Sequence, residues 1–156
     1  MTPAGMIPLS LYIHLPWCAL KCPYCDFNSY EGFSPALQQP YVNALLADLS
    51  SQQDWLSGRA IGSIFIGGGT PSLFGGKWIA RLLECIHEQL MIANDAEITL
   101  ESNPGSAERE RFAAYRAAGV NRLSIGVQTF QDALLQALGR IHSGDDARRA
   151  LDMAAE

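Results

Sequence analysis

Short apolar runs alternate with amphipathic segments along the chain, and this alternation restricts the fold more than any other feature of the sequence. Four candidate strands are visible, at 10–15 (SLYIHL), 63–66 (SIFI), 97–101 (EITLE) and 122–127 (RLSIGV). Short connections between strands and helices are typical of parallel βα units, which wind right-handed and place the helices outside the sheet. The sequence therefore predicts an α/β fold built on a parallel sheet.

Apolar residues at helical spacing fill the stretches between and after these strands. The first predicted helix begins at Pro40, with Val42, Leu45, Leu46 and Leu49 on its apolar face, and the second is marked by Ile79, Leu82, Leu83, Ile86 and Leu90. The third runs from a Ser106 cap to Gly119 and the fourth over 132–138. The fifth begins at about Ser143 and is still running at Glu156. Four βα units leave an open strand edge, and no stop signal follows the last helix. We therefore expect residues 1–156 to be one domain that forms the N-terminal part of a longer barrel-like protein.

Charge and cysteine usage exclude several classes of function. The chain has 11 basic and 16 acidic residues, a net charge of −5, which does not favour nucleic-acid binding. The apolar N-terminal run is interrupted by Ser10 and His14 and has no basic leader, so neither a signal peptide nor a transmembrane segment is predicted. Clustered cysteines without export signals indicate a reducing compartment, for which the cytoplasm is the default.

Each unusual motif follows a predicted strand. Cys18, Cys22 and Cys25 follow the first strand, and the next three strands are followed by GGGTPS (67–72), ESNPG (101–105) and GVQTF (126–130). The carboxyl ends of parallel strands lie at one edge of a sheet, where barrels and open α/β sheets build their sites. The sequence therefore predicts that these four motifs form a common site.

The three clustered cysteines have the spacing C-x3-C-x2-C. Three thiolates suit a cubane iron–sulfur cluster whose fourth iron stays free for a chelating small molecule. The alternative is a structural zinc ion completed by His14, Asp26 or Cys85. Cys85 flanks the apolar face of its helix and is otherwise interpreted as a core thiol.

The other three motifs each have a functional and a structural interpretation. The GGGTP glycines allow a ligand to approach the backbone closely, but they also suit a tight turn. Glu101 ends its strand and could bind a ribose diol, or could simply face solvent. Gln128 and Arg140 could hold a polar ligand tail, or could be surface residues.

Taken together, YIHLPWCALKCPYCDFN, GGGTPS, ESNPG and SIGVQTF…LGRIH resemble radical S-adenosylmethionine (SAM) proteins of the coproporphyrinogen oxidase-like branch, over nearly all of the 156 residues. The resemblance implies a partial (β/α) barrel of the TIM type with a [4Fe–4S] cluster on Cys18, Cys22 and Cys25. It implies that the open iron is chelated by SAM. The positions that would contact or border SAM are Tyr12, Tyr24, Gly68, Gly69, Thr70, Glu101 at the ribose, Gln128 and Arg140.

Phe27 distinguishes two groups within this branch. The oxygen-independent coproporphyrinogen III oxidases have a further cysteine two residues after the third cluster ligand, where this chain has Phe27. That pattern resembles the heme chaperones of the branch and implies heme or porphyrin, heme-acceptor proteins and an electron donor as partners. The alternatives are an authentic coproporphyrinogen oxidase and a non-catalytic, zinc-stabilised domain. No catalytic residue is assigned beyond the cluster ligands.

Overall fold

The structure, a computed structural model, describes residues 7–52, 56, 58–104 and 108–155. Its elements are β1 (Leu9–Leu15), α1 (Gln38–Ser51), β2 (Ile61–Gly68), α2 (Gly76–Gln89), β3 (Ile92–Ser102), α3 (Glu108–Ala117), β4 (Arg122–Ile125), α4 (Asp132–Ala137) and α5 (Gly144–Ala155). The strands are parallel and lie in the order β1-β2-β3-β4. The predicted α/β fold with a parallel sheet is confirmed.

The largest boundary difference is at the third strand, which was predicted over 97–101 and spans Ile92–Ser102, because its first part also pairs with β2 at Ile61. The fourth strand was predicted over 122–127 and ends at Ile125. The Gly126 amide still donates to Ser102 O (2.8 Å), but the chain then turns, and Gln128 has a φ of 66°. The last helix begins as predicted. Ser143 and Asp146 cap it reciprocally, with Asp146 N to Ser143 Oγ at 3.1 Å and Ser143 N to Asp146 Oδ2 at 2.8 Å. The predicted Ser106 cap and the helix end at Glu156 lie outside the described residues.

The apolar face of the sheet forms the hydrophobic core together with the helices. The buried residues of this core include Ile13, Leu15, Val42, Ile64, Ile66, Ile79, Leu82, Leu83, Ile86, Ile98, Leu100, Phe112 and Tyr115. Burying one such aliphatic side chain contributes roughly 1.5–3 kcal/mol relative to leaving it exposed. The core therefore fixes the strands, and with them the positions at which the strand-end motifs begin.

The opposite face of the sheet carries mostly polar side chains in register. One row across the strands is Tyr12, Phe65, Thr99 and Arg122, and the next row is His14, Gly67, Glu101 and Ser124. The second row is closer to the carboxyl ends of the strands. Tyr12 is 57% exposed, so the described residues leave this face open at β1.

An aromatic cluster anchors the chain where it leaves β1. The Trp17 ring centroid lies 4.6 Å from that of Tyr41 and 5.9 Å from that of Phe74. The Tyr41 hydroxyl donates to His14 O at 2.9 Å. Trp17 thus packs against the core beside the segment 18–30, called here the cysteine loop. Within the described residues, no helix combines the length and the apolar content that a membrane span needs.

Candidate functional site

An open cavity of about 320 Å³ lies at the carboxyl ends of the strands. All four strand-end motifs contribute to its wall, as the sequence predicts. The predicted site residues that line it are Cys18, Cys22, Tyr24, Cys25, Gly69, Thr70, Glu101, Gln128 and Arg140. Gly68 and Tyr12 are not part of the wall, although both lie next to Glu101. The topology therefore brings most of the predicted site residues together.

The cysteine loop is closed by its own backbone hydrogen bonds. Cys18 N donates to Tyr30 O at 2.8 Å, Tyr30 N donates to Pro16 O at 2.8 Å, and Cys25 N donates to Cys22 O at 3.0 Å. Lys21 adds to this closure, since its Nζ donates to Phe27 O at 3.0 Å. The loop therefore presents three thiols to one cavity, and all three are free.

The chemistry of these donors fits an iron–sulfur cluster. Within the described part of the chain, no three His, Cys, Asp or Glu side chains are grouped to hold a single metal ion. In a cubane each thiolate binds a different iron, so its ligands stand further apart than the ligands of one ion. Three free thiols around a cavity that also contains a carboxylate and glycine backbone match such a group and a chelating ligand.

Two of the side chains considered as a fourth zinc ligand are placed elsewhere or otherwise engaged. The His14 ring contacts the Tyr12 hydroxyl through Nδ1 (3.0 Å) and Asn28 O through Nε2 (2.8 Å). Cys85 lies half-buried on α2, which packs on the apolar face of the sheet. Asp26 alone of the three lines the cavity.

The GGGTPS segment at the end of β2 (67–72), called here the glycine loop, lies against the chain that leads into the cysteine loop. Gly69 N donates to Leu15 O at 2.8 Å, and Thr70 N donates to Trp17 O at 2.7 Å. A Cβ at Gly69 would lie 2.5 Å from Trp17 O, and Gly68 has a φ of 121°. Gly68 thus serves a turn that only glycine adopts readily, and Gly69 allows close approach of the chain's own backbone.

Glu101 directs its carboxylate into the cavity. Its Oε2 accepts the Gly68 amide at 3.1 Å. Partial burial raises the pKa of Glu101, while the Gly68 hydrogen bond and the nearby His14 oppose that rise. The pKa of Tyr12 is also raised, first by burial and then by the charge of Glu101. A half-buried carboxylate held by one backbone N–H group keeps acceptor capacity for hydrogen bonds from ligand hydroxyl groups.

Arg140 connects three of the motifs. Its Nη2 donates to Asn103 Oδ1 at 2.8 Å and to Gly126 O at 2.7 Å, and its Nη1 donates to Cys22 Sγ at 3.3 Å. Asn103 Nδ2 in turn donates to Thr70 Oγ1 at 3.0 Å. A single network therefore joins the cysteine loop, the glycine loop and the loops after β3 and β4.

Asn103, Ser124 and Gly126 also line the cavity, although none of them was predicted as a ligand contact. Asn103 and Gly126 stand directly after strands, and Ser124 is in register with Glu101 on the polar face. For Asn103 and Gly126 the available signal was their place in the strand-end motifs, and for Ser124 it was the register with Glu101. Gln128 lies exposed at the cavity, and its positive φ is unusual for a residue other than glycine.

Comparison with known proteins decides the family. The family profile described as "Radical SAM superfamily" matches residues 12–156. The chain belongs to the radical SAM superfamily. Membership implies SAM and a [4Fe–4S] cluster, and the fit of three free thiols to such a cluster agrees with this.

Among characterised relatives, the chain is 51% identical over 148 residues to "Heme chaperone HemW" of Escherichia coli, covering 95% of this chain and 39% of that protein. It is 51% identical over 151 residues to the Haemophilus influenzae protein of the same name, covering 94% of this chain and 39% of that protein. It is 45% identical to "Radical S-adenosyl methionine domain-containing protein 1, mitochondrial" of Mus musculus, covering 91% of this chain and 32% of that protein. The chain thus spans well under half the length of these relatives.

Among solved structures, the coproporphyrinogen III oxidase HemN of Escherichia coli, described as a radical SAM enzyme, matches with a TM-score of 0.86 and 31% identity. The match covers 95% of this chain and 34% of that one. The archaeal Elp3 of Methanocaldococcus infernus matches with a TM-score of 0.58 and 16% identity, covering 93% of this chain and 35% of that one, and shows the fold alone. The TIM-like fold of the radical SAM type is therefore confirmed for the part that this chain spans.

Proposed function

We propose that this chain is the N-terminal part of a radical SAM protein of the HemW type, which transfers heme to acceptor proteins. The observation that carries the proposal is the convergence of three free thiols, Gly69 and Glu101 on one cavity. The relatives named heme chaperones, at 51% identity over nearly the whole chain, support the choice of this function.

In this proposal Cys18, Cys22 and Cys25 hold the [4Fe–4S] cluster. Bound together, the cluster and SAM supply one-electron reductive cleavage of a carbon–sulfur bond, and the electron comes from an external donor. The chain's own contribution would be three thiolates, Cys18, Cys22 and Cys25, which would leave one iron without a protein ligand and available to SAM.

The remaining wall of the cavity would orient SAM. Glu101 would accept hydrogen bonds from the ribose hydroxyl groups, because the Gly68 amide holds its carboxylate at the cavity. Gly68, Gly69 and Thr70 would border the ligand. Tyr12, Tyr24, Gln128 and Arg140 would complete the SAM contacts, at this molecule or at a second one beside it.

Phe27 supports a chaperone rather than an oxidase. It lines the cavity, is 61% exposed, and stands where the oxygen-independent oxidases have a further cysteine. A phenyl ring cannot supply the thiol chemistry of that position, whereas an exposed ring at a cavity can pack against a flat apolar ligand such as heme. Phe27 therefore favours binding of a porphyrin over its conversion.

Oxidative decarboxylation of coproporphyrinogen III is the second candidate. The observation that favours it is the TM-score of 0.86 with coproporphyrinogen III oxidase. That similarity concerns the part that would hold the cluster and SAM, which a chaperone and an oxidase of one branch would share. The similarity therefore does not distinguish an oxidase from a chaperone, whereas Phe27 does, and Phe27 argues against the oxidase.

The test uses the full-length protein, purified and reconstituted with iron and sulfide without oxygen. We expect about four iron atoms and four sulfides per chain, SAM binding by calorimetry, and transfer of bound heme to an acceptor hemoprotein. Incubation with coproporphyrinogen III, SAM and a reductant should give no vinyl product. Vinyl product would establish the oxidase function instead, and zinc without iron or sulfide would refute both.

A further inference from the structure

The Arg140 guanidinium is bound to the protein on two sides. Nη2 donates to Asn103 Oδ1 and to Gly126 O, and Nη1 reaches Cys22 Sγ. Arg140 Nε is buried and has no hydrogen-bond partner among the described residues. The planar fork of the guanidinium is therefore fixed in orientation by the loops after β3 and β4. Arg140 therefore places a positive charge beside the cysteine loop and directs one N–H group at the sulfur of Cys22.

We propose that Arg140 tunes the cluster through the sulfur of Cys22, and that Asn103 is the positioning residue that holds Arg140 in place. This inference rests on the proposed cluster ligation by Cys22 and adds a role that a SAM contact alone would not give Arg140. Thr70 supports the arrangement, because its hydroxyl accepts the Asn103 amide at 3.0 Å.

The direction of the effect follows from charge. Hydrogen bonds to cluster sulfurs and the charge around them set the reduction potential. Three thiolates leave the cluster with net negative charge, and reduction adds one further negative charge. A guanidinium at 3.3 Å from one of the sulfurs stabilises the more negative form more strongly, so Arg140 raises the reduction potential.

Asn103 acts through Arg140 and does not itself reach a cysteine in the described contacts. Both polar atoms of the Asn103 side chain form hydrogen bonds, since Oδ1 accepts from Arg140 and Nδ2 donates to Thr70. A leucine of similar size at this position would remove both bonds and free the guanidinium from one of its two anchors. The potential should then shift in the same direction as on loss of Arg140, but by less.

The experiment compares Arg140→Met, Asn103→Leu and a control, Arg122→Met, in the anaerobically reconstituted full-length protein without SAM. Arg122 is a matched control because it is on the same sheet and carries the same charge, but it bonds Glu97 (3.1 Å) and Thr99 (3.3 Å) instead of the cysteine loop. The measurement is the midpoint potential, from a redox titration followed by electron paramagnetic resonance. SAM affinity is measured separately by calorimetry.

We expect the ratio of reduced to oxidised cluster at a fixed potential to fall about tenfold in Arg140→Met, a shift of about 59 mV to lower potential for one electron. Asn103→Leu should shift the same way by less, and Arg122→Met should match the wild type. An unchanged potential in Arg140→Met would overturn the inference, and weaker SAM binding in that case would assign Arg140 to SAM alone. If neither Arg140→Met nor Asn103→Leu held a cluster, the inference would also be overturned, because Arg140 and Asn103 would then be needed for assembly of the cluster. A wild-type protein without iron and sulfide would instead refute the proposed function.

Discussion

Replacing Gly69 with alanine tests how the glycine loop and the cysteine loop are packed. The new Cβ would lie 2.5 Å from Trp17 O and 2.8 Å from Pro16 C, whereas real Cβ atoms essentially never come within 3.0 Å of such atoms. Both neighbours are backbone, so no side chain can rotate away. One of the two loops must therefore move by at least about 0.5 Å, across a contact that holds the Gly69 N to Leu15 O bond of 2.8 Å.

The expected cost combines two effects. Overpacking of a tight site costs about 1–3 kcal/mol, and weakening one backbone hydrogen bond costs about 1 kcal/mol more. The total of roughly 2–4 kcal/mol lowers the melting temperature by about 4–16 °C for an unfolding unit of about 150–250 residues. Because Cys18 follows Trp17 directly, the displaced loop should also hold less iron after reconstitution.

The assay is thermal unfolding of the apo protein followed by circular dichroism, with Gly62→Ala as the matched control. At Gly62, on β2, the nearest atom to an added Cβ is Leu9 O at 3.9 Å, an ordinary contact. This control should melt at or slightly above the wild-type temperature, since alanine restricts the unfolded chain more than glycine does. If Gly69→Ala melted together with Gly62→Ala, the close packing of the two loops would be wrong.

Three further predictions address the cluster, the carboxylate and the loop support. Cys22→Ser should lose the cluster absorbance and keep its helical circular dichroism, while Cys85→Ser should keep its iron content; equal absorbance in both variants would contradict ligation by Cys22. Glu101→Gln should weaken SAM binding about 10–100-fold by calorimetry, because a charged hydrogen bond is replaced by a neutral one. The pKa of Glu101 in the folded protein is raised above its usual value of 4.5. Ionisation of Glu101 therefore lowers the free energy of unfolding as the pH rises from about 4.5 through the raised pKa. Glu101→Gln should consequently melt no lower than the wild type at pH 7. Tyr115→Phe should lower stability by about 1–2 kcal/mol in thermal unfolding, since the buried hydroxyl donates to Phe74 O at 2.6 Å; an unchanged melting temperature would refute this.

The alternation of apolar runs and helical periodicity was sufficient to predict the order of strands and helices. The second helix is the clearest case, because Ile79, Leu82, Leu83 and Ile86 are all buried in α2. The end of β4 was not predictable in the same way. Gly126 and Val127 continue the apolar pattern, but the strand ends before them, where Gly126 O accepts Arg140. That contact depends on a residue 14 positions later, which no local pattern contains.

The candidate site was predictable to the extent that it depends on topology. A parallel sheet places every strand end at one edge, so Cys18, Gly69 and Glu101 could be assigned to one site from their positions alone. The Arg140 network could not be predicted, because Arg140 bonds Asn103, 37 positions away, and Cys22, 118 positions away, through side-chain geometry. Asn103 was visible only as a polar residue before a proline, a pattern equally typical of an ordinary turn.

The third strand explains why this sheet has an open functional face. Parallel strands covered on both sides read as continuous apolar runs, whereas EITLE alternates, with Ile98 and Leu100 buried in the core and Glu97 and Glu101 on the other face. TIM barrels ordinarily fill their interior with bulky branched side chains. Carboxylates on the interior face are costly in such a packed interior unless polar groups pair with them. Here Glu97 pairs with Arg122, and Glu101 accepts the Gly68 amide. The alternation in this strand therefore indicates a polar interior face, and Glu101 is the carboxylate on that face that lines the cavity together with the cysteines.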